Sequence, residues 1–464
     1  MAVWSVVDSG GLELSARFDA EYYRPDLLAF EEMLSNNAPR VEPLGNLIAS
    51  GNRVVYVNTH IVDAPVNEAD YVRFLQAADV SSRLPTLRYS GLGWVKRDDW
   101  ERYPKGRIRR GEVLIEVKGK AEKVALVPSG FPKETLVSGS LYKLSLREGT
   151  VEPEYLVAYL LSAFGRGFRH RSLTNTLIGF VNAAELHAIP VPILSPEDRK
   201  PIVQRLRDSL QADAESNRLL VESESAAELS GIDLGEIADP SLTYEVSSQR
   251  VFPAGRLDAE YFQPCKWNIL EKGRALERPT VSDFFSLKRD TFNPSSMAPS
   301  SLVRNFDLND ALQPFLDDSK APTICSEVRS VKMKLRHGDL VVSRLRSYLR
   351  EIAIVLCSKT PPPVASTEFI VLRRTEDGLS AETLLAYLRA GHAQTVLQWS
   401  QDGSNHPRFN AAALLALPVP QALLDQNETI SQLVRKATAS RQQAVAALNE
   451  ACQLVERSLG LPPS

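Results

Sequence analysis

The chain has 464 residues, of which 44% are apolar and 24% charged, a composition typical of globular proteins and a length that exceeds one ordinary core. No segment reaches the roughly 18 uncharged apolar residues of a membrane span, and the first residues lack a secretory signal, so we expect a cytoplasmic chain. The four cysteines are far apart, which argues against a zinc ribbon and a disulfide framework.

The net charge of −3 is unevenly distributed along the chain. Residues 96–123 contain ten basic and six acidic residues, and residues 329–350 contain seven basic residues and one acidic residue. Residues 195–239 contain five basic and eleven acidic residues. Because clustered Lys and Arg attract nucleic-acid phosphates, the two basic segments are candidate contact regions despite the negative total.

A long internal repeat divides the chain into two halves. Arg-Phe-Asp-Ala-Glu-Tyr-Tyr-Arg-Pro at 17–25 recurs as Arg-Leu-Asp-Ala-Glu-Tyr-Phe-Gln-Pro at 256–264, an offset of 239. Residues 109–115 match 336–342 at an offset of 227, and residues 154–160, 182–186 and 190–192 match 382–388, 410–414 and 418–420 at an offset of 228. Two long copies of one unit are therefore present.

The same secondary structure is predicted in both halves. Residues 111–115 and 338–342 are short apolar runs after a glycine, which favours strands, and residues 136–146 and 364–372 have similar patterns. Apolar residues at helical spacing predict helices at 154–161 and 382–388. Each Pro-Val-Pro at 190–192 and 418–420 is expected to form an extended exit from its domain.

A long helix is predicted after each exit. The first extends from Pro196 to about Leu229, with Ser195 as N-cap, and the second from Leu424 to about Leu459. The predicted contact positions are 203, 206, 210, 214, 217 and 221 in the first helix and 430, 433, 437, 440, 444, 447, 451 and 454 in the second. This spacing favours pairing of the two helices; the alternative is that each packs on its own domain.

This order of elements resembles the specificity subunits of type I restriction-modification systems over essentially the whole chain. Two further motifs carry the resemblance, namely Ser-Arg-Leu-Arg-Ser-Tyr-Leu at 343–349 and Ser-Thr-Glu-Phe-Ile-Val-Leu at 366–372. It implies an α+β fold with two pseudo-symmetric mixed α/β target-recognition domains, joined by two long helices that pair as an antiparallel coiled coil. The expected limits are 1–194 for the first domain, 195–235 for its helix, 236–422 for the second domain and 423–464 for the second helix and tail.

The resemblance also implies a function without catalysis by this chain. Each domain would read one half of a bipartite target in double-stranded DNA, and the helical region would bind methyltransferase subunits, two in number, with restriction subunits joining through the complex. No cofactor, metal or membrane is expected. The first half departs from the pattern, because Glu116-Val117-Lys118-Gly119 stands where the second half has Ser343-Arg344-Leu345-Arg346.

Catalytic motifs are not evident in the sequence. It contains no Gly-x-Gly cofactor loop between a strand and a helix, no phosphate-binding P-loop and no methyltransferase Pro-Pro-aromatic loop, and the six histidines lack ligand spacing. One alternative is a DNA nuclease or modification enzyme, with Glu116 and Lys118 and a further acid at Asp98 or Asp99. Another is a duplicated scaffold that binds only protein.

The candidate DNA-contacting residues lie in two basic segments and two polar loops. Arg pairs well with guanine and Asn with adenine, whereas Lys, Ser and Thr mostly contact phosphates. In the first half the candidates are Lys118, Lys120, Lys123, His170, Arg171, Thr174 and Asn175. In the second half they are Arg344, Arg346, Arg350, Ser404, Asn405, His406 and Arg408.

Overall fold

The computed structural model describes residues 20–62, 65–88, 91–173, 179–403 and 405–462. The chain divides into two compact units. Unit 1 contains the residues up to Ala214 together with those from Arg441 onwards, and unit 2 is Glu215–Ser440. No helix in the described ranges is long and apolar enough to cross a membrane.

Unit 1 is a mixed α/β domain. Its strands are β1 (Val41–Pro43), β2 (Ile48–Asn52), β3 (Tyr71–Leu75), β4 (Gly93–Lys96), β5 (Val113–Glu116), β6 (Val124–Leu126), β7 (Thr135–Val137), β8 (Leu141–Leu146) and β9 (Pro190–Pro192). Its α-helices are α1 (Pro25–Asn37), α2 (Leu44–Leu47), α3 (Arg97–Arg102), α4 (Pro153–Leu161), α5 (Ala163–Arg171), α6 (Ala183–Ala188) and the first part of α7 (Pro196–Ser230). The sheets have the orders β2-β8-β5-β6, β4-β3-β7 and β1-β9.

Unit 2 repeats this plan. After the second part of α7 come α8 (Ser248–Ala254), α9 (Pro264–Ala275), α10 (Val281–Phe284), α11 (Ala381–Arg389), α12 (Gly391–Gln398), α13 (Ala411–Leu415), α14 (Gln421–Asp425) and the first part of α15 (Asn427–Ser458), whose residues from Arg441 onwards belong to unit 1. The strands are β10 (Phe285–Lys288), β11 (Thr291–Phe292), β12 (Leu302–Phe306), β13 (Phe315–Leu316), β14 (Thr323–Ile324), β15 (Lys332–Lys334), β16 (Leu340–Ser343), β17 (Ile352–Val355), β18 (Pro363–Ala365) and β19 (Phe369–Arg374). Their sheet orders are β10-β19-β16-β17-β13 and β11-β15-β18-β12-β14.

The duplication extends to individual side-chain contacts. The hydroxyl of Tyr159 donates to the carbonyl of Pro190, and the hydroxyl of Tyr387, 228 residues later, donates to the carbonyl of Pro418. The ion pair between Arg207 and Glu154 at 2.8 Å likewise recurs between Arg435 and Glu382 at 3.0 Å. Because the same contacts recur at one offset, the two units are copies of one fold.

Each unit has its own core, formed where its main sheet packs on helices. In unit 1 the buried faces of β5 and β8 pack with α4, α5 and the first part of α7, and Tyr155 and Tyr159 are fully buried there. In unit 2 the equivalent strands β16 and β19 pack with α11 and α12. The prediction of two mixed α/β domains is therefore confirmed.

The long helices α7 and α15 pair in antiparallel fashion. In unit 1 the hydroxyl of Ser209 donates to the carbonyl of Ala444 at 2.8 Å, and in unit 2 the hydroxyl of Ser216 donates to the carbonyl of Ala437 at 2.7 Å. Residue numbers therefore increase along α7 where they decrease along the facing part of α15, so the two helices are antiparallel. The predicted pairing and the predicted helix limits are confirmed to within three residues.

The predicted contact positions are partly wrong. Beyond Leu206 the buried residues of α7 are Ser209, Asp213, Ser216, Leu219, Leu220, Ser223, Ala227 and Ser230, whereas Ala214 and Val221 are exposed. In α15 positions 430, 437, 444 and 451 are buried as predicted, but the intervening buried positions are 434, 441, 448 and 455. The prediction followed apolar residues, whereas the middle of this interface is made of small and polar side chains.

Two further predictions are refined by the structure. The apolar run 136–146 is two strands, β7 and β8, separated by a turn, because the register of β7 follows β3 while β8 pairs with β5. The exit 190–192 is extended, as predicted, and pairs with β1.

Candidate nucleic-acid interface

In unit 2 the connection between β16 and β17 lies against the loop 402–408. The amide of Arg346 donates to the carbonyl of Pro407 at 2.9 Å, and the amide of Phe409 donates to the carbonyl of Arg344 at 3.0 Å. The loop is closed at its base by reciprocal amide-to-carbonyl bonds between Asp402 and Arg408 at 2.7 and 2.9 Å. The two segments predicted separately from the sequence therefore form one surface.

The backbone of this connection is held in an uncommon conformation. Arg346 and Arg350 both have left-handed backbone angles, with φ of 50° and 52°. Such angles are costly for residues other than Gly and persist only where surrounding contacts hold them. Here the amide bond from Arg346 to Pro407 and a bond from the guanidinium of Arg389 to the carbonyl of Arg350 at 3.0 Å supply those contacts.

Two of the candidate arginines share one carboxylate. Glu368 accepts hydrogen bonds from Arg408 at 3.0 Å through both of its oxygens and from Arg344 at 2.9 Å. The bonds from Arg408, followed by those from Arg344, hold the pKa of Glu368 below its ordinary value despite partial burial. The side chains of Arg344 and Arg408 remain 44% and 40% exposed, so Glu368 orients them while leaving them accessible.

The remaining candidates of unit 2 surround this pair. The guanidinium of Arg346 lies 3.3 Å from the carbonyl oxygen of Asn405 and 3.1 Å from Nδ1 of His406. Asn405 and His406 are exposed, and Arg350, 45% exposed, lies 4.0 Å from Glu224. Ser404 lies outside the described residues. Four arginines and an exposed amide on one rigid surface can bind phosphates and pair with base edges.

The repeated Arg-x-Asp-Ala-Glu-Tyr motif anchors the base of this loop. The guanidinium of Arg256 pairs with Asp258 and with Asp402, each at 2.5 Å, and donates to the carbonyl of Gln401 at 3.1 Å. It also lies over the ring of Tyr261, 4.2 Å from its centroid. The motif, which the sequence showed only as a repeat, therefore positions the loop.

Lys266 reinforces this anchor from inside the domain. Its ammonium donates to the carbonyls of Tyr261 and Trp399 at 3.2 and 3.3 Å and lies 3.4 Å from the centroid of the Tyr261 ring. Burial, with a smaller contribution from nearby Arg256, lowers the pKa of Lys266 to about 7.

In unit 1 the equivalent connection, residues 117–123 between β5 and β6, is fixed from within. The carboxylate of Glu116 accepts the amides of Glu122 and Lys123 at 3.0 and 3.4 Å. The fully buried guanidinium of Arg169 donates to the carbonyl of Ala121 and, at 3.0 Å, to that of Leu160. Burial lowers the pKa of Arg169 to about 10. A buried cation on α5 thus holds the connection in place.

The three lysines of this connection have different surroundings. Lys118 and Lys120 are exposed. Lys123 is partly buried, its ammonium donates to the carbonyl of Ala77 at 2.7 Å, and burial lowers its pKa. Lys118 and Lys120 are therefore the lysines available to a phosphate backbone.

The candidates at the end of α5 also differ. His170 is exposed, and its pKa is lowered by partial burial and by the neighbouring Arg169. The side chain of Arg171 is only 7% exposed, pairs with Glu31 and lies 3.8 Å from the centroid of the Tyr22 ring. It faces the first copy of the repeated motif. Thr174 and Asn175 lie outside the described residues.

Three arginines not selected from the sequence lie near the unit 1 connection. Arg83 and Arg166 line a cavity of about 290 Å³ together with Lys123 and His170. Arg53 lines a second cavity of about 180 Å³ beside Lys118. They were not identified from the sequence because they lie far along the chain from the basic segment, although the short Gly-Arg-Gly motif at 165–167 contains one of them, Arg166.

The residues of the nuclease alternative are used structurally. Glu116 is occupied by the amides of its own loop, and Asp99 is buried and accepts the hydroxyl of Thr59 at 3.0 Å. Within the described residues no group of three or more His, Cys, Asp or Glu side chains is arranged to hold a metal ion. These contacts lend the nuclease alternative no support.

No protein-family model and no curated protein matches this chain. Among solved structures it is similar to the HsdS subunit from Thermoanaerobacter tengcongensis, with 15% identity, a TM-score of 0.30 and coverage of 90% of this chain and 96% of that chain. It is also similar to the S subunit of a type I restriction-modification system from M. genitalium, with 12% identity, a TM-score of 0.36 and coverage of 92% and 98%. A third similar chain comes from a study of complex assembly and conformational transition of the type I restriction-modification system, with 16% identity, a TM-score of 0.28 and coverage of 90% and 96%.

Proposed function

We propose that this chain is a DNA-recognition subunit of the type I restriction-modification kind, without catalytic activity of its own. Each unit reads one part of a bipartite duplex target. Two methyltransferase subunits and, through the complex, restriction subunits supply the chemistry. The recognition domains extend over 1–194 and 236–422, and the helical segments over 195–235 and 423–464.

The observation that carries the proposal is the duplicated hairpin connection. In both units the turn after the central strand, β5 or β16, carries exposed cations, Lys118 and Lys120 in one and Arg344 and Arg350 in the other. In unit 1 the connection is fixed by the buried Arg169, and in unit 2 it is fixed by backbone bonds to the loop 402–408, so in both units the exposed side chains are presented on a fixed support. Positively charged loops on a rigid fold suit binding to a phosphate backbone, and Arg and Asn side chains suit base readout.

The difference between the two connections supports a split and asymmetric target. Lysines contact phosphates as point charges, whereas arginines pair with guanine through two parallel bonds. Two copies of one fold with different side chains at the contact surface read different sequences. The target is therefore two unlike half-sites.

Methylome sequencing of a host with and without this gene tests the proposal. We expect methylation at a split, non-palindromic sequence that is lost with the gene. Titration of labelled duplexes carrying that sequence, with each half-site altered separately, then measures recognition by the purified chain. Methylation that does not depend on the gene, together with equal affinity for altered duplexes, contradicts the proposal, as does methyl transfer or cleavage by the purified chain alone.

A further inference from the structure

A buried ion pair lies in the middle of the interface between α7 and α15. The guanidinium of Arg441 donates to the carboxylate of Asp213, and the two side chains are 7% and 4% exposed. Their neighbours along the interface are small, namely Ser209 and Ser216 on α7 and Ala437 and Ala444 on α15. Charges buried this deeply are costly unless they are paired.

The two members of this pair occupy equivalent positions in the duplication. The offset of 228 that relates the two Pro-Val-Pro exits also carries position 213 to position 441. The serine bonds to Ala444 and Ala437 set an antiparallel register in which these two equivalent positions face each other. Opposite charges therefore stand where an exact repeat would have placed two identical residues.

This placement distinguishes the correct pairing from pairing of like helices. If α7 paired in the same register with α7 of a second copy, Asp213 would face Asp213 of that copy. If α15 paired with a second α15, Arg441 would face Arg441. Like charges brought together away from water repel strongly, so both arrangements are disfavoured.

We propose that Asp213 and Arg441 form a pairing-specificity element that selects α7 with α15 and rejects a second copy of the same helix. A polar pair inside a helix interface can set register and partner choice in this way. The proposal concerns how the chain pairs with itself and does not rest on DNA recognition.

Two charge-reversal variants of the full chain test it. D213R carries arginine at both positions, and R441D carries aspartate at both. Every helix pairing within either variant, or between copies of it, brings like charges together, whereas every pairing between the two variants brings opposite charges together. We expect each variant alone to melt at lower temperature and the co-expressed, differently tagged chains to form a mixed 1:1 complex in more than about hundredfold preference over self-complexes. Native mass spectrometry after tandem purification measures this preference.

The double reversal D213R/R441D in one chain should recover the melting temperature and the oligomeric state of the unaltered chain. A matched control is the exposed interhelix pair of Arg205 and Glu450, 3.0 Å apart and each 46% exposed, for which R205E and E450R should show little preference for mixed complexes. Co-expression keeps the test informative if a single variant does not fold alone. A mixed complex no more abundant than self-complexes, or a double reversal as unstable as the single variants, overturns the proposal.

Discussion

The two hairpin connections differ in how they are anchored. Both are closed by the same backbone bond, from the amide of Glu116 to the carbonyl of Lys123 and from the amide of Ser343 to the carbonyl of Glu351, each 2.9 Å long. In unit 1 the anchor is the buried Arg169, which reaches the connection from α5. In unit 2 the anchor is a neighbouring surface loop, joined by backbone bonds and by Glu368.

The comparison shows that the two units share core contacts but differ in the residues that fix their connections. Core contacts such as that of Tyr159 with Pro190 and of Tyr387 with Pro418 are retained. The residues that fix the connection and those that carry its exposed charges are not retained. Because packing tolerates few changes while an exposed loop tolerates many, a duplicated scaffold can acquire two different recognition surfaces.

The largest effect is expected from R169M. Removing the buried guanidinium leaves the carbonyls of Ala121 and Leu160 without their donor, which should lower the free energy of unfolding by about 2 to 4 kcal/mol. Denaturant titration measures this, and binding to the first half-site should weaken while the second half-site is still read. The exposed Arg110 supplies the control R110M, for which we expect little change. Equal stability of both variants would show that unit 1 is not anchored from within.

R344A and R346A should each weaken binding to the intact target by about 1 to 3 kcal/mol if a bidentate base contact is lost. The effect should disappear on duplexes whose second half-site is already altered, because the lost contact then has no partner. Fluorescence anisotropy with the two duplexes measures this. R374A, which removes an exposed ion pair with Asp377, is the control. Unchanged affinity in both variants, with folding intact, removes these residues from the contact surface.

K118A/K120A tests whether unit 1 uses its lysines for phosphates. Each lost phosphate contact should reduce the slope of log affinity against log salt by about 0.9, with the preference between target and altered duplexes unchanged. Binding titrations at several salt concentrations provide the slope. A changed sequence preference would instead indicate that these lysines contact bases.

The pH dependence of stability tests the burial of Lys266. Its pKa is lowered to about 7 in the folded chain by burial, whereas an unfolded lysine holds its proton up to about pH 10. Over this window the unfolded state binds more protons, so this group makes the free energy of unfolding rise as pH increases from 7 to 10. The rise should be absent in K266M, because methionine does not titrate. K272M, at an exposed lysine of the same helix, should keep the wild-type pH dependence.

The sequence predicted much of the fold but less of the candidate site. Strand β16, helix α11 and both long helices were predicted closely because apolar spacing and turn residues act locally. The contact of Arg344 with Glu368, and of Arg256 with Asp402, joins residues 24 and 146 positions apart, which no local pattern reports. Arg171 illustrates the same point, since its residue type suggests DNA contact while its side chain packs against Tyr22.

By itself, the sequence determined that the chain is a tandem duplication of a mixed α/β unit, each followed by a long helix, because a repeated pattern of apolar residues requires a repeated fold. Only the tertiary structure decided which faces of the helices meet. A helix turns by about 100° per residue, so a change of one position rotates the contact face, and small polar residues such as Ser209 and Ser216 carry no apolar signal to mark it. Tertiary packing therefore brings Asp213 and Arg441 together, whereas the pattern of apolar residues predicted contacts at the adjacent positions 214 and 440.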